Sequence, residues 1–180
     1  MKRVVFGAVA AMVLAGVSVP ATSAAQCNAI LAGGTCTQNG ATSMTAGRVV
    51  RLQMSAGSTS LTTPTPTDFD AGFNATTGPT LTVSANAAWT LHIRAASALW
   101  TATNTSPGAP ARVNKPAADL KWSTASNGAF TSFTTSDVNL ITGAATASNA
   151  TTLFFHTTYS WTLDTPGNYS MSIVLTLTSP

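Results

Sequence analysis

From residue 153 to residue 163 every second position is apolar, aromatic or threonine: Leu153, Phe155, Thr157, Tyr159, Trp161 and Leu163. A period of two marks a strand with one buried face, because successive side chains leave a pleated backbone on opposite sides. The alternation resumes at Tyr169, Met171, Ile173, Leu175 and Leu177. Between the two runs lies Asp164-Thr165-Pro166-Gly167-Asn168, and Pro followed by Gly suits the centre of a type II turn. The spacing predicts an antiparallel hairpin of two long amphipathic strands. The stretch Thr151 to Leu163 carries no charge, so at an open edge it would template aggregation. It must pair inside a sheet or against another subunit.

The rest of the chain reads the same way. Thr and Ser make up 50 of the 180 residues, and only 7% are charged, with five Asp, no Glu and eight Lys or Arg. That composition excludes a coiled coil or long solvated helix, and it is too poor in charge for a charged disordered tail. Val50, Leu52 and Met54 alternate with Val49, Arg51 and Gln53. Leu81 and Val83 alternate, then Trp89, Leu91 and Ile93, and Asn86 between them predicts a hairpin turn where Asn tolerates positive φ. Residues 55–67, with Pro64 and Pro66, and 100–112 read as loops. Leu120 with Trp122, Phe130 to Phe133 and Val138 to Ile141 read as short strands. Seven to nine short strands in all predict an all-β fold, an immunoglobulin-like antiparallel β-sandwich, with a barrel as the alternative.

The N-terminus predicts export. Lys2 and Arg3 precede an uncharged run from Val4 to Val19, then Pro20 and small residues up to Ala24 and Ala25. This is the order of a secretory signal peptide, and the run is shorter than the roughly 20 residues that span a bilayer. Residues 1–25 are therefore expected to be removed, leaving one domain over 26–180 with no transmembrane span. Without Lys2 and Arg3, six basic and five acidic residues remain, a net charge of +1. No basic cluster survives, so no nucleic-acid partner is expected. Cys27 and Cys36 are the only cysteines, and in an exported chain they are expected to pair. Closing that loop is worth about 2.5–3 kcal/mol on the chain-entropy estimate.

Chemistry-bearing motifs are few. His92 and His156 fall out of phase with the apolar positions and should point away from the main core. There is no Gly-x-Ser-x-Gly elbow, no His-Glu-x-x-His, no phosphate-binding Gly-Lys loop and no paired carboxylates, so neither an enzyme nor a cofactor is expected. Asp68, Asp70 and Asn74 place oxygens around Gly72 and form a candidate cation loop; the alternative is loop stabilisation by the same side chains. Trp100 and Trp122 are candidate ligand-facing aromatics, whereas Trp89, Trp161 and Tyr169 are in phase with apolar neighbours and read as core. Asn-x-Ser/Thr sequons occur at Asn74, Asn104, Asn149 and Asn168, as expected in so Thr-rich a chain.

Two Trp-x-Leu tripeptides, Trp89-Thr90-Leu91 and Trp161-Thr162-Leu163, lie on the expected strands. In this the chain resembles the bacterial WxL cell-surface domains, whose paired motifs accompany attachment to peptidoglycan. Its last segment, from Thr165-Pro166-Gly167-Asn168-Tyr169-Ser170 onward, is similar to the closing hairpin of pilin-like and spore-coat-U-like secreted proteins. Both resemblances imply an exported bacterial β-sandwich and neither carries a catalytic residue. The expectation is a non-catalytic structural or adhesive protein, secreted, periplasmic or on the cell surface. Its expected partners are the cell envelope, other surface proteins or further copies of itself; the alternative is a carbohydrate- or peptidoglycan-binding module.

Overall fold

The computed structural model describes residues 41–105 and 111–180. The expected signal peptide and both cysteines lie outside the described residues. From Val50 onward the backbone is dominated by strands, as β-branched and aromatic residues on half-buried faces require. Ten strands occur among the described residues: β1 (Val50–Met54), β2 (Phe73–Ala85), β3 (Trp89–Ala95), β4 (Thr101–Asn104), β5 (Leu120–Ser123), β6 (Thr131–Ser132), β7 (Val138–Gly143), β8 (Thr146–Thr158), β9 (Gly167–Ser170) and β10 (Ile173–Thr178). They form a five-stranded sheet ordered β1-β2-β8-β5-β6, a three-stranded sheet ordered β10-β3-β7, and a β4-β9 pair. Every pairing is antiparallel, and the sheets pack together as a β-sandwich.

Alternation decides which side chains fill the space between the sheets. Leu81, Val83 and Ala85 of β2 face Trp89, Leu91, Ile93 and Ala95 of β3, with Leu153 and Phe155 of β8 and Leu120 and Trp122 of β5 in the same cluster. Burying each large side chain contributes about 1.5–3 kcal/mol relative to leaving it in water. Trp89 fits because Gly143 lies against its ring, where a Cβ would sit 2.6 Å from Cζ2. Its indole N–H is satisfied by the Ala144 carbonyl at 2.8 Å. The uncharged β8 is an interior strand, paired to β2 on one side and β5 on the other, which removes the edge hazard.

The alternating segments are where the sequence places them, but several of their partners differ. Residues 81–85 and 89–93 do not form a hairpin: β2 and β3 lie in different sheets, so the connection crosses the sandwich. Asn86 does not take a positive φ, since Gly72 alone does so among the described residues. Its side chain instead ties down the chain before β1, accepting from Val49 N at 2.8 Å and donating to Gly47 O at 2.8 Å. The hairpin expected over 153–177 is also absent. β8 stops at Thr158, β9 pairs with β4, and β10 pairs with β3. Residues 160–164 fold into a turn because the amides of Leu163 and Asp164 both donate to Ser160 O. That turn carries Trp161 and Leu163 out of the strand and leaves both exposed, so Trp161 is not core. Residues 101–104, read as loop, form β4. Pro66–Ala71 forms a six-residue helix, α1, which begins at the end of the stretch read as loop and runs into the candidate cation loop.

Candidate functional site

A cleft of about 760 Å³ opens where β8 ends, between α1, the turn over residues 160–164 and the chain around Trp100 and Lys115. Helix α1 builds one wall. Thr65 is its N-cap: its hydroxyl accepts from Asp68 N at 3.4 Å, while Asp68 Oδ2 accepts from Thr65 N at 2.7 Å. This reciprocal capping box, with Pro66 in the first turn, starts the helix, and Gly72 at φ 79° ends it. The backbone N–H and hydroxyl of Thr65 hold the Asp68 carboxyl below its ordinary range.

The helix presents Phe69 to two aromatic rings, Tyr159 at 5.4 Å and Trp161 at 4.6 Å between centroids. The Trp161 indole N–H donates to Asp70 Oδ1 at 3.0 Å. Trp161 is thus backed on one side and tethered at one edge, yet remains 61% exposed. A large aromatic ring fixed in this way is a shelf at the mouth of the cleft.

The floor is polar and dry. Lys115 is only 2% exposed, and its Nζ donates to Asp164 Oδ1 at 2.8 Å, to Thr158 O at 2.8 Å and to Asp119 Oδ2 at 3.3 Å. Arg112 bridges the same two carboxylates, with Nη1 3.1 Å from Asp119 Oδ2 and 3.1 Å from Asp164 Oδ1. Asp164 Oδ2 accepts from Ser160 N at 2.9 Å, which also fixes the turn bearing Trp161. Two cations and two carboxylates cancel. The Trp100 and Tyr159 rings flank the ammonium at 5.9 and 5.4 Å, within cation–π range.

Backbone bonds hold the floor in place. Trp100 N donates to Lys115 O at 2.9 Å, and Ala117 N to Ala98 O at 2.8 Å. The Tyr169 hydroxyl accepts from Arg112 N at 2.9 Å and donates to Thr165 O at 2.6 Å. On the wall, Thr157 Oγ1 is buried without a well-formed hydrogen bond. The neighbouring Tyr159 hydroxyl is pushed above its ordinary pKa, mainly by burial.

The residues singled out from sequence are not all here. Trp100 and Trp122 are 4% and 8% exposed, so neither offers a sugar-stacking face, contrary to the sequence expectation. Trp122 lies opposite Phe155 in the sheet interior, and the Trp100 indole N–H is committed to Pro116 O at 3.0 Å; Trp100 contributes only to the cleft lining. The cation loop dissolves as well. Asp68 caps α1, Asp70 holds Trp161, and Asn74 is buried, donating to Thr62 O at 2.9 Å. Among the described residues no three His, Cys, Asp or Glu side chains converge as a metal ion requires. No helix among them is long and apolar enough to cross a membrane.

His92 and His156 sit in different sheets, on β3 and β8. His156 stacks on Phe130 at 3.5 Å with Phe73 at 4.7 Å. Partial burial, helped by nearby Lys121, lowers its pKa below 6.5.

Phe69, Arg112, Lys115, Asp119 and Asp164 belong to this site although no sequence motif marks them as a group. A signal existed for some of them. Thr65-Pro66-x-Asp68 spells a helix cap, and Lys115 and Asp119 stand four apart in a chain with very few charges. No protein-family model matches the chain, and comparison with curated proteins likewise gives no match.

Proposed function

We propose that this is an exported, non-catalytic adhesive module that binds a neutral, hydroxyl-rich carbohydrate in the cleft beside Trp161. The observation that carries this reading is the Trp161 shelf: 61% exposed, backed by Phe69 and tethered to Asp70. A sugar ring presents apolar C–H faces that suit an aromatic platform, while its hydroxyls need hydrogen-bonding groups around the rim. Thr62, Thr63 and Asn168 line the rim. The charges on the floor are satisfied in pairs, which favours a neutral ligand over an acidic one. Lys115, Asp119 and Asp164 are bonded to one another on the floor and are not turned toward a ligand, which favours binding over turnover of a bound molecule.

The test is a glycan array that includes peptidoglycan fragments, probed with the wild-type chain and with Trp161→Ala. Retention of neutral oligosaccharides by the wild type, lost at least tenfold in the variant, is the expected result. Absence of wild-type binding to every glycan, or equal binding by the variant, would remove the reading. Losing the Trp161 ring contact with Phe69 should cost about 0.5–1.5 kcal/mol, small enough for the variant to remain folded.

A further inference from the structure

We propose that Lys115 and Asp164 condense into an intramolecular isopeptide bond, tying the chain before β5 to the turn after β8 across 49 residues. This goes beyond the binding reading and does not depend on it. The reacting groups are already in place. Lys115 Nζ lies 2.8 Å from Asp164 Oδ1, with the two side chains 2% and 7% exposed. Holding two reactants at contact distance supplies much of what a bimolecular condensation lacks. Burial adds to it, because a desolvated ammonium–carboxylate pair is far less stable than the same pair in water, whereas an amide tolerates the interior.

Asp119 provides the proton path. Its Oδ2 lies 3.3 Å from Nζ. The Lys115 ammonium gives one proton to Asp119, and the freed amine attacks Asp164 Cγ, forming the C–N bond. Negative charge developing on the tetrahedral carbon's oxygens meets two donors, Arg112 at 3.1 Å and the Ser160 amide at 2.9 Å. Such fixed donors are what stabilises an oxyanion. One Cγ–O bond then breaks, and that oxygen departs as water with the proton returned by Asp119 and a second proton from the nitrogen. An ammonium and a carboxylate become an amide and one water. Asp119 ends as it began, and no oxidant or cofactor is consumed. Both reacting residues line the cleft, which gives the water an exit. Arg112 and Asp119 remain as a neutral pair at 3.1 Å.

The test is the intact mass of the purified full chain, denatured and thiol-reduced, with its N-terminus sequenced. The expected mass is one water below that of the linear sequence, and fragmentation of a chymotryptic digest should yield a branched peptide joining Lys115 to Asp164. Lys115→Met and Asp164→Ala should each appear at full linear mass. Asp119→Asn, with its fold checked by circular dichroism, should be wholly or largely unlinked. A wild-type chain at full linear mass, or a missing water located elsewhere, would overturn the proposal whatever the variants do. A folded Asp119→Asn chain linked as completely as wild type would overturn the proton path.

Discussion

The seam between the sheets and the floor of the cleft are almost equally dry and are built in opposite ways. In the seam Leu91, Ile93 and Leu153 are completely buried among apolar side chains, and stability there follows area and packing. On the floor Lys115 is nearly as buried, but its neighbours are two carboxylates, a carbonyl and an arginine. The seam should tolerate substitutions that preserve shape. On the floor, loss of Lys115 or of Asp164 should be poorly tolerated, because the partner left behind is a buried charge.

The largest effect is expected on the floor. Asp164→Ala leaves Lys115 and Arg112 to share the single carboxylate of Asp119 and should cost about 3–5 kcal/mol in a urea melt. The paired replacement Lys115→Met with Asp164→Leu sharpens the comparison. If the two residues form only a salt bridge, that exchange should be neutral or stabilising. If they are covalently joined, it should lower stability by removing a cross-link that restricts the unfolded chain, by the same entropy argument that applies to disulfides. Next in size is the seam. Leu153→Ala should cost about 2–5 kcal/mol, and Leu153→Met less than about 1.5 kcal/mol. A similar loss from both would break the contrast.

The smallest effect concerns His156, on the outer face of the larger sheet. Its folded pKa is lowered from 6.5, first by burial and then by Lys121, so the unfolded chain binds the proton more tightly. Its contribution is therefore present above the unfolded value and is lost as pH falls through the folded one. The wild type should lose more stability than His156→Gln between about pH 7 and about pH 5. Identical pH profiles would rule out this titration.

These contrasts also explain what could be read in the sequence. The in-phase residues of β2, β3 and β8 up to Thr157 are buried as their alternation requires, because period two and apolarity are local properties. Their partners were not local. The runs at 81–85 and 89–93 are neighbours in sequence and yet lie in opposite sheets. Nothing in a hydrophobic pattern separates a hairpin from a crossover of similar length. Trp161 shows the limit most clearly. It continues the phase of Leu153 and Phe155, but Asp164 reaches back to Ser160 and is itself drawn into the floor by Lys115 and Arg112. A contact between residues 115 and 164 ends the strand. The cleft was hidden for the same reason, since its floor joins residues 112, 115 and 119 to residue 164 from a distant segment.

The most direct measurement is a titration of tryptophan fluorescence with the neutral oligosaccharide best retained on the array, comparing wild type with Trp161→Phe and Trp122→Phe. The account predicts a saturable change in the wild type and in Trp122→Phe that is largely lost in Trp161→Phe. A signal that survives in Trp161→Phe and disappears in Trp122→Phe would contradict it, because the ligand would then be reporting from the sandwich interior and not from the exposed shelf.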